Sequence, residues 1–598
     1  MKKESILYSV TPYDPVGHRL RVSLTVANPD TQGQELSLPA WIPGSYLIRD
    51  FSRQVETISA HCGTQIIDVS KTGNHTWRCA PCDGPLVLDY TIYAWDLSVR
   101  GAHFDESHAF FNGTSIFLSV TGQTEAACHV RLAPPPHTGK WKVYTSLPEA
   151  AEHPEAAQRH GFGMYIAPNY DALIDHPVEM GTPQVVRFEA HGAVHEMVFT
   201  GVIPNLDLVR VAADTQQICA AQIALFDPET RRAPFLDSSD RYVFMTMVTA
   251  DGYGGLEHRA STALMASRAD MPVIGKADAG EGYQNFLGLV SHEYFHTWNV
   301  KRIKPAAFAP YDLSRENHTR LLWVFEGFTS YYDDLMLLRS GVIEHTDYLA
   351  RLSKVISTVE RTGGRHKQSV ADSSFDAWTR YYKQDENSPN ALVSYYTKGS
   401  LVALGLDLLI RKQSQDQRSL DDVMRLLWRR YGRDFYIGGG TGIGEDDLPE
   451  LVLAATGVDV SDFIARYAYG KEDIPLAPLL ESQGVMLTWK SSSAAPTLDV
   501  RLRTTNGETQ VATVYEGGAA HGAGLSAGDT VVAIDGLRVT DNASLDKLLR
   551  AYGPGDEVAI HVFRRDELRV FALLLAEPQA SECLLARMQA NAAGGHAA

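Results

Sequence analysis

Ser291-His292-Glu293-Tyr294-Phe295-His296-Thr297-Trp298-Asn299 is the stretch on which the interpretation of this chain depends. His292 and His296 are four residues apart, in a segment whose apolar residues recur at helical spacing. On a helix, positions i and i+4 project from one face, about one turn apart. Two imidazoles placed in this way can bind one zinc ion, at roughly 2.0–2.1 Å each. The stretch therefore predicts a buried helix that carries two metal ligands.

Glu293 supplies this predicted site with a general base. It follows the first histidine directly, so its carboxylate can reach a water beside the metal without binding the metal itself. A carboxylate in that position can take the proton of the water, while two neutral imidazoles leave the metal its Lewis acidity. A pattern with three fixed positions also arises by chance in long chains. A third protein ligand is therefore needed as a test.

Glu326 is the predicted third ligand, because a catalytic zinc ion takes three protein ligands and keeps one position open. It lies in Leu322-Trp323-Val324-Phe325-Glu326-Gly327-Phe328, at the start of a long apolar segment. A carboxylate among such residues needs a partner when it is buried, and a metal ion supplies one. Glu316 is nearer to His296 along the chain, but its neighbours have the composition of a solvated loop. Glu316 is kept as the alternative.

Composition and net charge limit the classes of protein to which the chain can belong. The chain has 598 residues, of which 44% are hydrophobic and 21% charged, close to the average of globular proteins. This length suits roughly three or four domains. The formal net charge is −18. Because nucleic acids and anionic membranes attract basic surfaces, we expect neither nucleic acid nor membrane as a partner.

The sequence also bears on location and on the cysteines. The first ten residues include two lysines but lack the apolar core of a signal peptide, and no run approaches the ~20 apolar residues of a membrane-spanning helix. We predict a cytoplasmic protein, although a processed periplasmic form would look similar. Six cysteines are too few for a disulfide scaffold. Cys79 and Cys82 form a C-x-x-C pair without enough neighbouring ligands for zinc, so we favour ordinary thiols.

Hydrophobic patterns divide the chain into three parts. Residues 1–190 contain short strand-like runs bounded by Pro, Gly, Asn and Asp, and residues 191–478 are dominated by long amphipathic segments. Short strands and one helix follow. The predicted strands include 20–26, 87–93, 115–120, 242–248, 510–515, 530–534 and 557–563. The predicted helices include 207–224, 285–299, 319–339, 343–361, 398–413, 418–431 and 543–551.

With these residues, the chain resembles the gluzincin metallopeptidases, whose third ligand is a Glu on a downstream helix. Gly254-Gly255-Leu256-Glu257-His258 resembles the G-x-M-E-N motif of the aminopeptidase N family, although Leu256 and His258 depart from it. The resemblance implies that Glu257, with Gly254 and Gly255, binds the free amino terminus of a substrate.

A second motif concerns the tyrosines. Tyr396-Thr397-Lys398-Gly399 is similar to the Y-E-K-G of the same family, which implies that Tyr396 donates a hydrogen bond to the oxyanion of the tetrahedral intermediate. A tyrosine hydroxyl held ~3 Å from developing negative charge stabilises it. Without the motif, Tyr395 and Tyr396 are equal candidates.

The whole chain is better matched by a sister family, the glycyl aminopeptidases with a C-terminal PDZ domain. Residues 41–51, Trp-Ile-Pro-Gly-Ser-Tyr-Leu-Ile-Arg-Asp-Phe, resemble its N-terminal signature, and residues 296–303, His-Thr-Trp-Asn-Val-Lys-Arg-Ile, resemble its extended metal motif. Residues 516–536 resemble a bacterial PDZ domain, with Ala-Gly-Leu, Gly-Asp, a strand and an Asp-Gly turn. Residues 484–487 would be the loop that receives a peptide C terminus, together with the start of its strand. A purely structural PDZ domain is the alternative.

We therefore expect a multidomain α+β protein. It would have a β-rich N-terminal domain over 1–190, a thermolysin-like, mainly α-helical catalytic domain over 191–478, a PDZ domain over 479–578 and a flexible tail over 579–598. The resemblance implies a zinc-dependent aminopeptidase with one Zn²⁺ per chain. Its substrates would be peptides with a free N terminus, from which it removes small residues such as Gly and Ala. The alternatives are a thermolysin-like endopeptidase, which would not need Glu257, and a non-enzymatic PDZ adaptor with a relic peptidase domain.

Overall fold

The computed structural model describes residues 6–136, 139–276, 280–491, 493 and 495–588. Contacts between residues group the chain into two compact units. The first comprises residues 1–317, 332–343 and 424–445, and the second comprises residues 318–331, 344–423 and 446–598. None of the helices in the described part of the chain combines the length and the apolar character that a bilayer-spanning helix requires.

The first unit begins with β-structure, as its short apolar runs predict. In Ile6–Asp14 buried and half-buried residues alternate, which is the period of a strand with one face in the core. A seven-stranded sheet has the order Gly163–Ala167, Cys128–Leu132, Ile6–Asp14, Arg19–Val26, Leu86–Tyr93, Val55–Cys62 and Gln65–Ile67. Two four-stranded sheets have the orders Lys142–Tyr144, Val178–Gly181, His108–Phe111, Ala102–Phe104 and Ser119–Val120, Glu35–Ser37, Thr76–Cys79, Val69–Lys71.

One strand predicted in this part is wrong. Residues 115–120 contain the end of a short helix, Gly113–Ile116, and only two strand residues, Ser119–Val120. The Ser115 hydroxyl donates to the Asn112 carbonyl oxygen at 2.7 Å and helps to close the helical turn. A short buried apolar run has no polar face, so periodicity cannot separate a strand from such a turn.

A five-stranded sheet completes the first unit and carries the metal-motif helix. Its order is Gln184–Ala190, Ala193–Thr200, Arg241–Thr249, Ser261–Ser267 and Gly254–Glu257. The second, third and fourth strands are parallel, and Gly254–Glu257 is an antiparallel edge strand. The helices Leu208–Phe226 and Gly280–Phe295 contact each other in this unit. The first strand ends at residue 190, the predicted domain boundary, and a tight hairpin joins it to the second strand, with which it pairs. A hairpin turn and a domain linker contain the same types of residue, so the sequence does not distinguish them.

The second unit is helical before its C-terminal domain. The helices predicted from amphipathic spacing are present, each within a few residues of its expected ends. Its helices are Trp323–Gly327, which is π-helical, the first residues of Phe328–Arg339, then His345–Glu360, Val370–Phe375, Ser388–Ala391, Thr397–Ser414, the start of Leu420–Leu427, Leu448–Thr456, Ser461–Ile464, the π-helical Ala465–Tyr469, and Leu476–Glu481. The remainder of Phe328–Arg339 and of Leu420–Leu427 belongs to the first unit.

The C-terminal domain has the sheet and two helices of a PDZ domain. The sheet has the order Val500–Thr505, Glu508–Val514, Thr530–Ile534, Glu557–Arg564 and Glu567–Leu574, with Leu537–Arg538 paired to the third strand. Its helices are Ala519–Ala523 and Asn542–Leu549. Its own apolar core includes Val511, Leu525, Ile534, Leu545 and Ile560.

Two predictions for this region need correction. Residues 484–487, predicted as the peptide-binding loop and its strand, do contain the start of a strand, Val485–Lys490. This strand, however, pairs with Glu582–Arg587 in a separate two-stranded sheet and not with the PDZ sheet. The predicted flexible tail over 579–598 therefore contains a strand, and its last ten residues, 589–598, lie outside the described residues. The strand is fixed because the Cys583 and Leu585 backbone N–H groups donate to Ser357 and Ser353 at 2.8 and 3.2 Å. These long-range hydrogen bonds leave no local sequence signal.

Candidate active site

The helix Gly280–Phe295 positions the metal motif in the first unit. Its buried residues include Tyr283, Leu287, Val290 and Tyr294, which follow the predicted spacing of three and four. His296 lies one residue beyond the helix, and its backbone N–H donates to the His292 carbonyl oxygen at 3.2 Å. Both histidines therefore project from one face, as the i, i+4 spacing predicts.

The two imidazoles face each other through their Nε2 atoms, which are 3.0 Å apart. His296 Nδ1 is 2.8 Å from the Asn299 carbonyl oxygen, and His292 Nδ1 is 3.0 Å from Asp333 Oδ2. Since a carbonyl and a carboxylate oxygen only accept, each Nδ1 carries the proton and each neutral ring presents a lone pair at Nε2. A cation between the two Nε2 atoms removes the repulsion of these lone pairs. The donor set therefore fits a metal ion.

Asp333 is a functional residue that the sequence analysis missed. Burial raises the pKa of Asp333 to about 6, against the opposing effect of the hydrogen bond with His292. Histidine ligands of metals usually bond to such a carboxylate through the other ring nitrogen, which fixes the tautomer. The only signal for it in the sequence is its position seven residues, or about two helical turns, beyond Glu326.

Asn299 is the second partner that the sequence analysis did not assign. Its carbonyl oxygen is aimed at His296 by a turn in which Val300 has a φ of +110°. A β-branched residue in that region is strained, and such strain is concentrated at functional sites. The turn is closed by hydrogen bonds between Val300 and Ile303 and between Ile303 and Trp298. It lies inside the stretch 296–303 that resembles the extended metal motif.

Glu293 and Glu257 lie beside the histidines. One carboxylate oxygen of each and one ring nitrogen of His296 are all within 4.8 Å of one another, and all three residues are buried. Gly255 packs against Glu293: a Cβ at this position would lie 2.0 Å from Glu293 Oε1. Gly254, by contrast, has open space around the position of a Cβ. The edge strand Gly254–Glu257 thus presents a glycine where the carboxylate of the predicted general base needs room.

The Glu257 carboxylate is buried without a complete set of partners. Only 4% of the residue is exposed, and its Oε1 atom makes no hydrogen bond to any of the described residues. An ionised carboxylate in such a place is costly unless a cation or a donor reaches it. The arrangement fits the predicted binding of an ammonium group.

The second unit holds Glu326 in the π-helical turn Trp323–Gly327, with 2% of the residue exposed. π-helical turns inside helices are frequently found at functional sites. Burial, with a contribution from the Glu326 charge, raises the pKa of the Tyr381 and Tyr395 hydroxyl groups. Glu326 therefore lies near enough to Tyr381 and Tyr395 for its charge to act on both hydroxyl groups.

Two glycines explain why these elements come so close. A Cβ on Gly327 would lie 2.7 Å from the Gly399 Cα and 2.9 Å from the Tyr395 carbonyl oxygen. The turn that carries Glu326 therefore packs directly on the helix Thr397–Ser414. The glycines that follow Glu326 and Lys398 in the two motifs serve this close packing.

The structure separates the two tyrosine candidates. Tyr395 is fully buried, whereas Tyr396, immediately before the helix Thr397–Ser414, is only partly buried. The Tyr396 hydroxyl is 3.3 Å from the Tyr382 hydroxyl. Tyr382 is a neighbour that the sequence analysis did not single out. A partly exposed hydroxyl can meet a substrate, and this favours Tyr396.

Known protein families resemble several parts of the chain. Family models match the chain in three segments: the Peptidase M61 N-terminal domain at residues 7–182, the M61 glycyl aminopeptidase at 285–402 and a PDZ domain at 496–575. No curated protein sequence matches the chain.

A solved structure that covers nearly the whole chain belongs to the related aminopeptidase N family. The chain is 42% identical to an aminopeptidase N family protein from Idiomarina loihiensis, with a TM-score of 0.92 and 98% of each chain covered. An M1 zinc metallopeptidase from Deinococcus radiodurans is 12% identical, with a TM-score of 0.47 over 79% of this chain and 95% of that chain. The predicted fold class, with a β-rich N-terminal domain, a helical middle region and a PDZ domain, is confirmed. The chain belongs to the M61 glycyl aminopeptidases, a PDZ-containing family related to aminopeptidase N, and is a zinc metallopeptidase of the aminopeptidase type.

Proposed function

We propose that this peptidase removes N-terminal residues, small ones such as Gly and Ala, from peptides with a free amino terminus. The observation that carries the proposal is the buried Glu257 carboxylate beside Glu293 and His296. A cationic amino terminus that pairs with Glu257 would lie within a few ångströms of the general base. The family description, M61 glycyl aminopeptidase, supports the proposed preference for small residues.

We propose His292, His296 and Glu326 as the ligands of one Zn²⁺ per chain. The facing lone pairs of the two histidines support two of these positions. The burial of Glu326 supports the third, and Glu326 precedes Asp333, the partner of His292, by about two helical turns. When bound, zinc supplies Lewis acidity toward the scissile carbonyl and lowers the pKa of water.

Glu293 is the proposed general base and general acid. Its carboxylate takes the proton of the attacking water and delivers it to the departing amine, so that no charged amide leaves. The carboxylate lies against Gly255, on the edge strand that also carries Glu257. This contact limits how far Glu293 can move from the histidines.

Tyr396 is the proposed oxyanion donor, with Gly254, Gly255 and Glu257 as the binding site of the amino terminus. A charge-assisted hydrogen bond between Glu257 and the ammonium group fixes which peptide bond is hydrolysed. A thermolysin-like endopeptidase would have no use for this carboxylate. The unsatisfied Oε1 atom of Glu257 therefore favours the aminopeptidase over the endopeptidase.

The binding of a peptide C terminus to the PDZ domain and the cytoplasmic location stay predictions. A cleft of about 1740 Å³ in the second unit is lined by apolar residues of the PDZ domain, among them Leu498, Val500, Leu545 and Leu549, and by Arg361, Arg365 and Lys367 of the helical part. Strand addition at such a groove is how PDZ domains take peptides. Asp499, with a φ of +54°, stands just before the strand Val500–Thr505. Its carboxylate accepts a hydrogen bond from the Ala519 backbone N–H at 3.1 Å, so charges of both signs line the cleft.

Replacing Glu293 by Gln tests the general base. We expect kcat to fall by at least about 100-fold, because the amide cannot accept the proton, while the zinc content stays near one per chain. Zinc content is measured by elemental analysis and kcat with Gly- and Ala-anilides. Glu281→Gln, an exposed position on the same helix, is the control and should keep normal kcat. A near-normal kcat for Glu293→Gln would remove Glu293 from this role.

Replacing Glu326 by Ala tests the third ligand. The variant should lose most of its zinc, because a catalytic zinc ion needs three protein ligands. Glu316→Ala, the alternative ligand from the sequence, should keep zinc near one per chain. Elemental analysis after equilibration with a weak chelator measures both. The reverse pattern, with zinc lost only from Glu316→Ala, would transfer the assignment to Glu316.

Replacing Asp333 by Asn tests the partner of His292. The loss of negative charge should weaken zinc affinity by about tenfold or more, as expected for a carboxylate that orients a histidine ligand. Competition with a chromogenic chelator gives the affinity. Asp334→Asn, about 100° further round the same helix, is the control. Equal affinities for the two variants would show that Asp333 does not support the metal.

Replacing Glu257 by Ala separates an aminopeptidase from an endopeptidase. The value of kcat/KM on free-amino substrates should fall at least tenfold, about 1.4 kcal/mol, because the ammonium loses its partner. Residual cleavage of amino-blocked peptides should hardly change. Equal losses on both substrate types would indicate a structural role, and no loss on either would favour the endopeptidase.

A further inference from the structure

The stretch 41–51 of the N-terminal β-domain contains a turn that the proposed chemistry does not yet use. Trp41 and Tyr46, on either side of this turn, are completely buried. Both pack on Phe308, with ring centroids 6.5 and 5.8 Å apart, and Trp41 also meets Tyr311 edge-on at 5.6 Å. Pro43, Gly44 and Ser45 lie between these two anchors.

Hydrogen bonds fix the start of the same turn to Asp312 and Leu313. The Trp41 indole N–H donates to the Asp312 carbonyl oxygen at 2.9 Å, and the Ala40 backbone N–H donates to the Leu313 carbonyl oxygen at 2.7 Å. Within the turn, the Ser45 N–H donates to the Ile42 carbonyl oxygen at 3.0 Å. A turn fixed in this way keeps its backbone in one place.

That place is directly against the Glu257 carboxylate. A Cβ on Gly44 would lie 2.3 Å from Glu257 Oε2 and 2.5 Å from Oε1. Gly44 also has a φ of +92°, a backbone conformation that costs free energy for residues other than glycine. The Glu257 charge contributes, after burial and Tyr436, to the raised pKa of Tyr311 in the anchoring cluster.

We propose that Pro43-Gly44-Ser45 forms one wall of the pocket for the α-ammonium group, with Gly44 as the positioning residue for Glu257. The inference rests on the proposed role of Glu257. The rigid main chain stops the carboxylate from moving away from the substrate side, so its distance from Glu293 and from the scissile bond is set by the N-terminal domain. A methyl group at residue 44 pushes the carboxylate out of that position.

A double-mutant cycle between residues 44 and 257 tests the proposal. Gly44→Ala should lower kcat/KM on Gly- and Ala-anilides at least tenfold at unchanged zinc content. In the Glu257→Ala background the carboxylate is absent, and Gly44→Ala should then change kcat/KM by less than about twofold. Glu257→Asp, which shortens the side chain by one methylene, should recover part of the activity that Gly44→Ala loses.

Gly192→Ala is the matched control for backbone strain. Gly192 also has a positive φ, of +78°, and nothing lies within 4 Å of the position of a Cβ. This variant should lower the unfolding temperature slightly and keep kcat/KM. If Gly44→Ala fails to fold while Gly44→Ala/Glu257→Ala folds, the contact with the carboxylate is supported.

The outcomes separate this inference from the proposed function. If Glu257→Ala leaves kcat/KM on free-amino substrates unchanged, the proposed function fails. If Glu257→Ala has its effect but Gly44→Ala has none, or costs the same factor in both backgrounds, only the role of Gly44 is overturned. Failure of both Gly44 variants to fold, with Gly192→Ala folded, would assign the turn to folding and overturn the inference as well.

Discussion

The rest of the site depends on one constraint, the close approach of two imidazole rings. The Nε2 atoms of His292 and His296 are 3.0 Å apart, and their lone pairs face each other. The two Nε2 lone pairs repel each other because each ring carries its proton on Nδ1. Asp333 accepts the hydrogen bond from His292 Nδ1, and the Asn299 carbonyl oxygen accepts the one from His296 Nδ1. Without those partners either ring could change tautomer and satisfy the other. The protein therefore fixes an arrangement that a cation between the two rings would relieve, and this supports the proposed metal site.

Glycines determine how close the other groups come. Gly255 lies against Glu293, Gly44 against Glu257, and Gly327 against Gly399. In each case a single Cβ would separate the partners. At Gly255 and Gly44, the main chain of a segment distant in sequence lies directly against a carboxylate. At Gly327, it lies directly against the helix that follows Tyr396. Main chain is less mobile than a side chain, so it gives carboxylates a defined position.

The residues after His296 have a different task. Lys301 is buried and donates to Asp175 Oδ1 at 2.8 Å, and Arg302 Nε donates to Asp237 Oδ2 at 2.8 Å. Burial alone would raise the pKa of Asp175, but the charge of Lys301 with His258 and Arg259 holds it well below the ordinary value. Buried ion pairs add little net stability, because desolvation offsets attraction. Here they connect the turn that holds the Asn299 carbonyl to the ends of two short helices of the same unit, Tyr170–Ile174 and Pro234–Asp237.

The sequence by itself determined the helix of the metal motif, the family and most of the major helices and strands, and it also yielded the prediction of Glu293 as general base. These depend on local spacing: i and i+4 for the histidines, three and four for the apolar faces, and two for the strands. It could not find Asp333 or Gly44 as partners of His292 and Glu257, nor the pairing of Val485–Lys490 with Glu582–Arg587. Only the tertiary structure decided these, because contacts between residues far apart in the chain depend on how the elements pack, and that leaves no periodic trace in the sequence.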